Sequence, residues 1–132
     1  MTKFNGTTQR KALSELEHLV MECLWERAKP ATAEEVREAL LPRRKLKDSS
    51  IRTILRRLEE KGYASHSVDG RTFLYSGVEA PQEVAVGAVR QIIDRFCGGS
   101  VEQLVLGMVE NRVLDGQELQ RLARLVARRK KD

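Results

Sequence analysis

Residues Ser49–Tyr63 read SSIRTILRRLEEKGY. Ile51, Ile54, Leu55 and Leu58 recur at the spacing of one helical face, and Gly62 supplies the residue that closes a helix. On a wheel of about 100° per residue these apolar side chains point one way, and Ser49, Thr53, Arg56 and Glu60 point the other. Ser50, Arg52 and Arg57 lie on the flanks. The face that cannot be core is therefore small and hydroxylated near its start and guanidinium-bearing further along. Asp48 or Ser49 is the expected N-cap.

Two shorter helices precede this one. Ser14 with Glu17 reads as a capping box at the start of SELEHLVMECLWERA, where Leu16, Leu19, Val20, Cys23 and Leu24 form an apolar stripe. KPAT breaks that helix. Thr32 with Glu35 is a second capping box, and Val36, Ala39 and Leu40 are expected to face inward. PRRK ends the second helix and begins a basic loop. After Gly62, YASHSVDGRTFLYS has strand character on either side of Asp69-Gly70, a two-residue hairpin signal. Three short helices followed by a hairpin is the order of a winged helix-turn-helix. The expected fold is mainly α with a small β-hairpin wing. Residues 13–78 form the winged-helix domain, and residues 1–12 a flexible N-terminal arm.

Residues 79–132 read as a separate helical lobe. Pro81 suits a first helical position, and the helix it opens closes at Gly98-Gly99. Ser100 with Gln103, and Asp115 with Glu118, open two more helices. Val84, Val89, Ile92, Ile93 and Phe96 make a wide apolar face in the first, and Leu104, Val105, Met108 and Val109 in the second. Leu122 extends the apolar surface into the third. So short a segment seldom buries that much alone, so pairing with a second copy across a two-fold axis is expected. The alternative is packing back onto the N-terminal lobe of the same chain. The terminal ARRKK is expected to balance a helix dipole.

Composition narrows the function. The chain has 132 residues, 41% hydrophobic and 33% charged, with a net charge of +5. Between Arg43 and Lys61 there are eight Lys/Arg against three Asp/Glu, so that stretch alone carries a net +5. Small hydroxyls at the start of a helix permit close approach to base edges in a DNA major groove. Free N–H groups there favour phosphate, and flanking arginines can reach phosphates or guanine edges. The competing reading is a solvated helix whose arginines pair with Glu59 or Glu60. Arg71, near the hairpin tip, is either a phosphate contact or an exposed strand-end arginine.

Other classes find less support. There is no nucleophile–base motif, no Gly-rich phosphate loop and no metal-ligand spacing, so no catalytic residue, metal or cofactor is expected. Cys23 and Cys97 are expected to be reduced, buried thiols. No apolar run is long enough to span a membrane, and MTKFNGTTQRK is not a secretory signal. A cytoplasmic protein without membrane contact is expected.

Together the blocks ALSELEHLVMECLWE, TAEEVREAL, SSIRTILRRLEEKGY, DGRTFLY and FCGGSVEQLVLGMVE resemble the BlaI/MecI penicillinase-repressor family. The resemblance runs from about Leu13 to near the C-terminus. It implies a homodimeric transcriptional repressor binding palindromic operator DNA upstream of genes for β-lactam resistance or other stress responses. It also implies contacts from the third helix and wing, here Ser50, Arg52, Thr53, Arg57 and Arg71. The wheel adds Ser49 and Arg56, and Lys47 is a further phosphate candidate. The dimerisation candidates are Val89, Ile92, Ile93, Phe96, Leu104, Val105, Met108 and Leu122.

Two departures limit what the resemblance carries. The penicillinase repressors are cleaved at an Asn-Phe bond after a membrane metalloprotease sensor is triggered, and the matching pair here is Gly107-Met108. The residues therefore identify no sensor or protease partner. The copper-responsive relatives use a C-terminal C-x-C pair, whereas no cysteine follows Cys97. The rival to a DNA-binding repressor is a winged-helix protein–protein interaction module with an incidental basic face.

Overall fold

The computed structural model describes residues 10–131. The elements are α1 (Glu15–Glu26), α2 (Ala33–Leu40), α3 (Asp48–Glu60), β1 (Ala64–Asp69), β2 (Thr72–Gly77), α4 (Pro81–Phe96), α5 (Val101–Glu110) and α6 (Gly116–Lys131). The fold is mainly helical with one antiparallel hairpin, a winged helix-turn-helix followed by further helices. The described chain divides after Ala88, inside α4, into two compact units.

In the first unit, α1, α2 and α3 converge on one core. Val20, Met21, Val36, Leu40, Ile51, Leu55 and Leu58 are fully buried. Residues that close-packed are held by many small dispersion contacts as well as by removal from water. The capping boxes at Ser14/Glu17 and Thr32/Glu35 form as the sequence predicts, each with its two reciprocal hydrogen bonds. At the end of α3, Gly62 has φ +87°. Its N–H donates to Glu59 O, and the Tyr63 N–H donates to Leu58 O at 2.9 Å, the bond pair of a Schellman stop.

The hairpin is tied to the helices at its base. The segment after α1 adds a bridge, with Ala31 N donating to Tyr75 O and Tyr75 N to Ala31 O, both at 2.8 Å. Trp25 Nε1 donates to Glu79 O at 3.0 Å, and a Cβ at Gly77 would stand only 3.0 Å from that indole nitrogen. Of the expected N-terminal arm, residues 1–9 lie outside the described residues. Arg10 pairs with Glu79 and lies over the Tyr63 ring, 5.2 Å from its centroid. The Tyr63 hydroxyl donates to Lys11 O, and Lys61 Nζ to Ala12 O.

Several local expectations shift. The N-cap of α3 is Lys47, with no side-chain cap, and Asp48 is its first helical residue. A carboxylate there still favours the positive end of the helix dipole. Ala33, not Ala39, turns inward on α2, because an eight-residue helix leaves the phase of its stripe loosely fixed. The hairpin turn is Gly70-Arg71 rather than Asp69-Gly70, since Asp69 pairs with Thr72. Gly70 has φ +66° and Arg71 is not in the left-handed region, as a type II′ turn requires.

The second unit is built differently. Asp115 and Glu118 form the reciprocal cap of α6, and the Ser100 hydroxyl accepts from Gln103 N–H. The α5–α6 link holds Arg112 at φ +63°. Ile93 is buried at 4% exposure, whereas Phe96 is 80% exposed. Val89, Ile92 and Leu122 are exposed; Leu104, Val105 and Met108 are half-buried. Gly107-Met108 lies within α5.

Candidate nucleic-acid interface

The burial of Ile51, Ile54, Leu55 and Leu58 fixes the rotation of α3. Everything opposite that stripe must face outward. Lys47, Ser49, Arg52, Arg56 and Arg57 are exposed, and Ser50 and Thr53 half-buried. Ser49, Ser50, Thr53, Ile54 and Arg57 line one shallow depression on the helix surface. The structure thus brings Ser49, Ser50, Thr53 and Arg57 around one depression, with Arg52 and Arg56 exposed on the same helix.

Hydrogen bonding divides that face into occupied and free groups. The Thr53 hydroxyl donates to Ser49 O at 3.0 Å, so its rotamer is set by its own helix. Arg52 Nε donates to Asp48 Oδ2 at 3.0 Å, and its terminal nitrogen to Glu34 Oε1 of α2 at 3.2 Å. The hydrogen bond and charge of Asp48 push the Arg52 pKa further up. Arg52 therefore links α2 to α3 and would have to exchange carboxylates for any other ligand. Arg56, Arg57, Lys47 and Arg71 have no hydrogen bond or ion pair among the described residues. The pairing of Arg56 with Glu59 or Glu60 that the competing reading requires does not form among the described residues: Glu59 instead meets His66.

That contact belongs to a group the sequence did not single out. His66 of β1 meets Glu59 through Nδ1 and stacks on Phe73 of β2, with centroids 4.1 Å apart and planes 8° off parallel. Together they fasten the hairpin to the C-terminal half of α3. The hairpin then carries Arg71 at its exposed tip, beside the exposed pair Val68 and Phe73. Alternation along the strands shows that residues share a face; it does not show a contact from His66 to a helix.

A second fastening lies beneath. Glu17 is buried, and its carboxylate accepts from Lys61 Nζ at 2.7 Å and from Ser14 N–H at 2.8 Å. Burial opposes its charge, but the Lys61 and Ser14 hydrogen bonds and the Lys61 charge outweigh it and hold the carboxyl below the usual glutamate range. This pair joins α1 to the end of α3. Burial pushes the Cys23 thiol and the Tyr63 and Tyr75 phenols up, so none of them is primed as a nucleophile or base near neutral pH. Cys97 is half-buried, less covered than expected. Among the described residues no group of three or more His, Cys, Asp or Glu could hold a metal ion. No helix there is long and apolar enough to cross a membrane.

The penicillinase repressor family model matches residues 13–128. The chain belongs to the penicillinase repressor family. The family is one of transcriptional repressors, not of enzymes. The penicillinase repressor of Bacillus licheniformis is 29% identical over 119 residues, covering 89% of this chain and 91% of that protein. The transcriptional regulator BlaI of Mycobacterium tuberculosis is 37% identical over 75 residues, 57% of this chain and 54% of that protein. Among solved structures, monomeric Bacillus licheniformis BlaI in complex with the blaP half-operator matches at 27% identity. That match covers 57% of this chain and 90% of the BlaI chain, with a TM-score of 0.48.

Proposed function

We propose that this penicillinase-repressor family member acts as a homodimer that binds a palindromic DNA operator through α3 and the hairpin. The observation that carries the proposal is the exposed face of α3, where Arg56 and Arg57 stand without a carboxylate partner beside Ser49, Ser50 and Thr53. Uncompensated guanidinium groups next to small hydroxyls suit a surface that lies against phosphates and base edges. Lys47 and Arg71 contact phosphate in this reading, and Arg52 aligns the start of α3. Residues 13–78 act as the DNA-binding domain and residues 79–132 as the dimerisation domain.

The dimer follows from uncovered apolar side chains. Val89, Ile92, Phe96 and Leu122 are exposed, and Leu104, Val105 and Met108 half-covered, in a unit that offers them little to pack against. Ile93 is already buried within the chain and supports the surface from beneath. A two-fold pair of α3 helices would read a site of matching symmetry, hence a palindrome.

The test is enrichment of fragmented genomic DNA by the purified chain, followed by sequencing and re-measurement at several salt concentrations. One enriched palindrome, with affinity falling steeply as salt rises, is expected. Diffuse recovery with no shared sequence would contradict the proposal and favour a protein-binding module.

A further inference from the structure

The most basic segment outside the α3 region is α6. Residues 116–131 hold six Lys/Arg and one acid, Glu118, a net +5. Glu118 is engaged at the start of the helix, where its carboxylate accepts the Asp115 N–H. Arg121, Arg124 and Arg128 line one shallow depression together with Gln117 and Gln120. Arg121 and Arg128 make no hydrogen bond or ion pair among the described residues, and Arg124 reaches only the Gln120 carbonyl of its own helix at 3.4 Å. All three are exposed.

Two ordinary explanations fall short. A C-terminal dipole favours cations only within the last turn, which accounts for Arg128, Arg129 and Lys130 but not for Arg121 or Arg124. Intrahelical pairing does not compensate them: the one acid three or four residues from Arg121 or Arg124 is Glu118, whose carboxylate accepts the Asp115 N–H, and Arg121/Arg124 and Arg124/Arg128 are like-charge neighbours. On a wheel of about 100° per residue the three arginines fall within about 60° of one another. Leu119, Leu122 and Val126 lie on the opposite side, and Leu125 falls beside the row, about 40° from Arg121. The row is therefore separate from the apolar face proposed for dimerisation and remains available when that face is covered.

We infer that the Arg121, Arg124 and Arg128 row of α6 is a second polyanion-binding surface, and that its ligand is the phosphate backbone of double-stranded DNA. The identification of the ligand rests on the DNA-binding proposal above. Arginines and amide side chains in one line supply donors that suit phosphate oxygens. A helix lying in a membrane surface sets Trp, Phe or Leu opposite a basic face; α6 has leucines there but no aromatic residue, and binding to anionic vesicles is the competing outcome of the test. Contacts of this kind hold register and affinity without reading sequence.

The experiment compares the full chain with R121Q/R124Q/R128Q on one duplex carrying the enriched site and on one of random sequence, each over a salt series. The variant should lose affinity for both duplexes alike, keeping their ratio. Its log K against log salt should flatten by about 0.9 for each lost phosphate contact, roughly 3 per chain. R121K/R124K/R128K should keep the wild-type slope. If the triple glutamine variant loses its helix content or oligomeric state, R121Q alone should flatten the slope by about one contact. An unchanged slope in a folded variant, with the wild type still binding DNA, overturns the inference and leaves the α3 proposal standing. So does loss of binding to phosphatidylserine vesicles in place of DNA. A wild-type chain that binds neither duplex at any salt overturns both.

Discussion

Helices α3 and α6 carry the same kind of pattern, an apolar stripe opposite an arginine face, yet they end in opposite situations. In α3 the stripe is covered: Ile51, Leu55 and Leu58 have no exposed surface. In α6 it is open: Leu122 and Val126 remain 47% and 56% exposed. The difference lies in what surrounds each helix. The stripe of α3 meets α1, α2 and the base of the hairpin, which supply enough apolar surface to close a core. Among its described residues the second unit gathers no comparable set of buried side chains. An amphipathic pattern states that a face wants covering, and only the rest of the chain states whether it has been covered. The first unit thus closes its own core, and the open stripe of the second is what the proposed dimer would cover.

The largest test of this contrast is Leu55→Ala. It leaves a cavity in a closed core and should cost about 2–5 kcal/mol in chemical denaturation, whatever the protein concentration. A truncation tolerated without loss would place the core elsewhere. Ile92→Glu should act on assembly instead. It should weaken self-association by about 2 kcal/mol, roughly thirtyfold, in sedimentation at several concentrations, with helix content retained. An unchanged association constant would remove Ile92 from the interface.

The junction between α1 and α3 gives a smaller, pH-dependent effect. The folded Glu17 carboxyl titrates below its unfolded value, about 4.3. Its stabilisation is therefore fully present above that pH and is lost as pH falls through the lower folded value. Glu17→Gln should cost about 1–2 kcal/mol at neutral pH, and its stability should fall less steeply than wild type below about pH 4.3. Parallel acid profiles would show that the pair contributes nothing. The smallest effect is a gain. Arg112 sits at φ +63°, where an L side chain crowds its carbonyl, and Arg112→Gly should stabilise the α5–α6 link by about 0.5–1 kcal/mol in thermal melts.

The parts legible in the sequence were those set by near neighbours. Capping boxes at Ser14/Glu17 and Thr32/Glu35, the stop at Gly62 and the inward stripe of α3 all depend on residues within about one helical turn. The face holding Ser49, Arg56 and Arg57 followed from that stripe. What the pattern did not show depends on distant or weakly specified partners. Arg52 is held by Glu34, eighteen residues away, and Glu17 is buried because Lys61 arrives from the far end of α3. The cap of α3 was ambiguous because three polar residues, Lys47, Asp48 and Ser49, stand in a row and the one chosen makes no side-chain bond. The hairpin turn moved by one residue because Gly70 satisfies a left-handed requirement at either central position.

The most direct test separates the two faces in one molecule. The Arg56→Ala/Arg57→Ala variant would be titrated against the enriched duplex while its oligomeric state is followed by sedimentation. The expected result is a loss of affinity of about 1–3 kcal/mol per specific contact removed, with the dimer intact. Unchanged affinity, or a dimer that falls apart, would contradict the assignment of DNA binding to α3 and of assembly to the second unit.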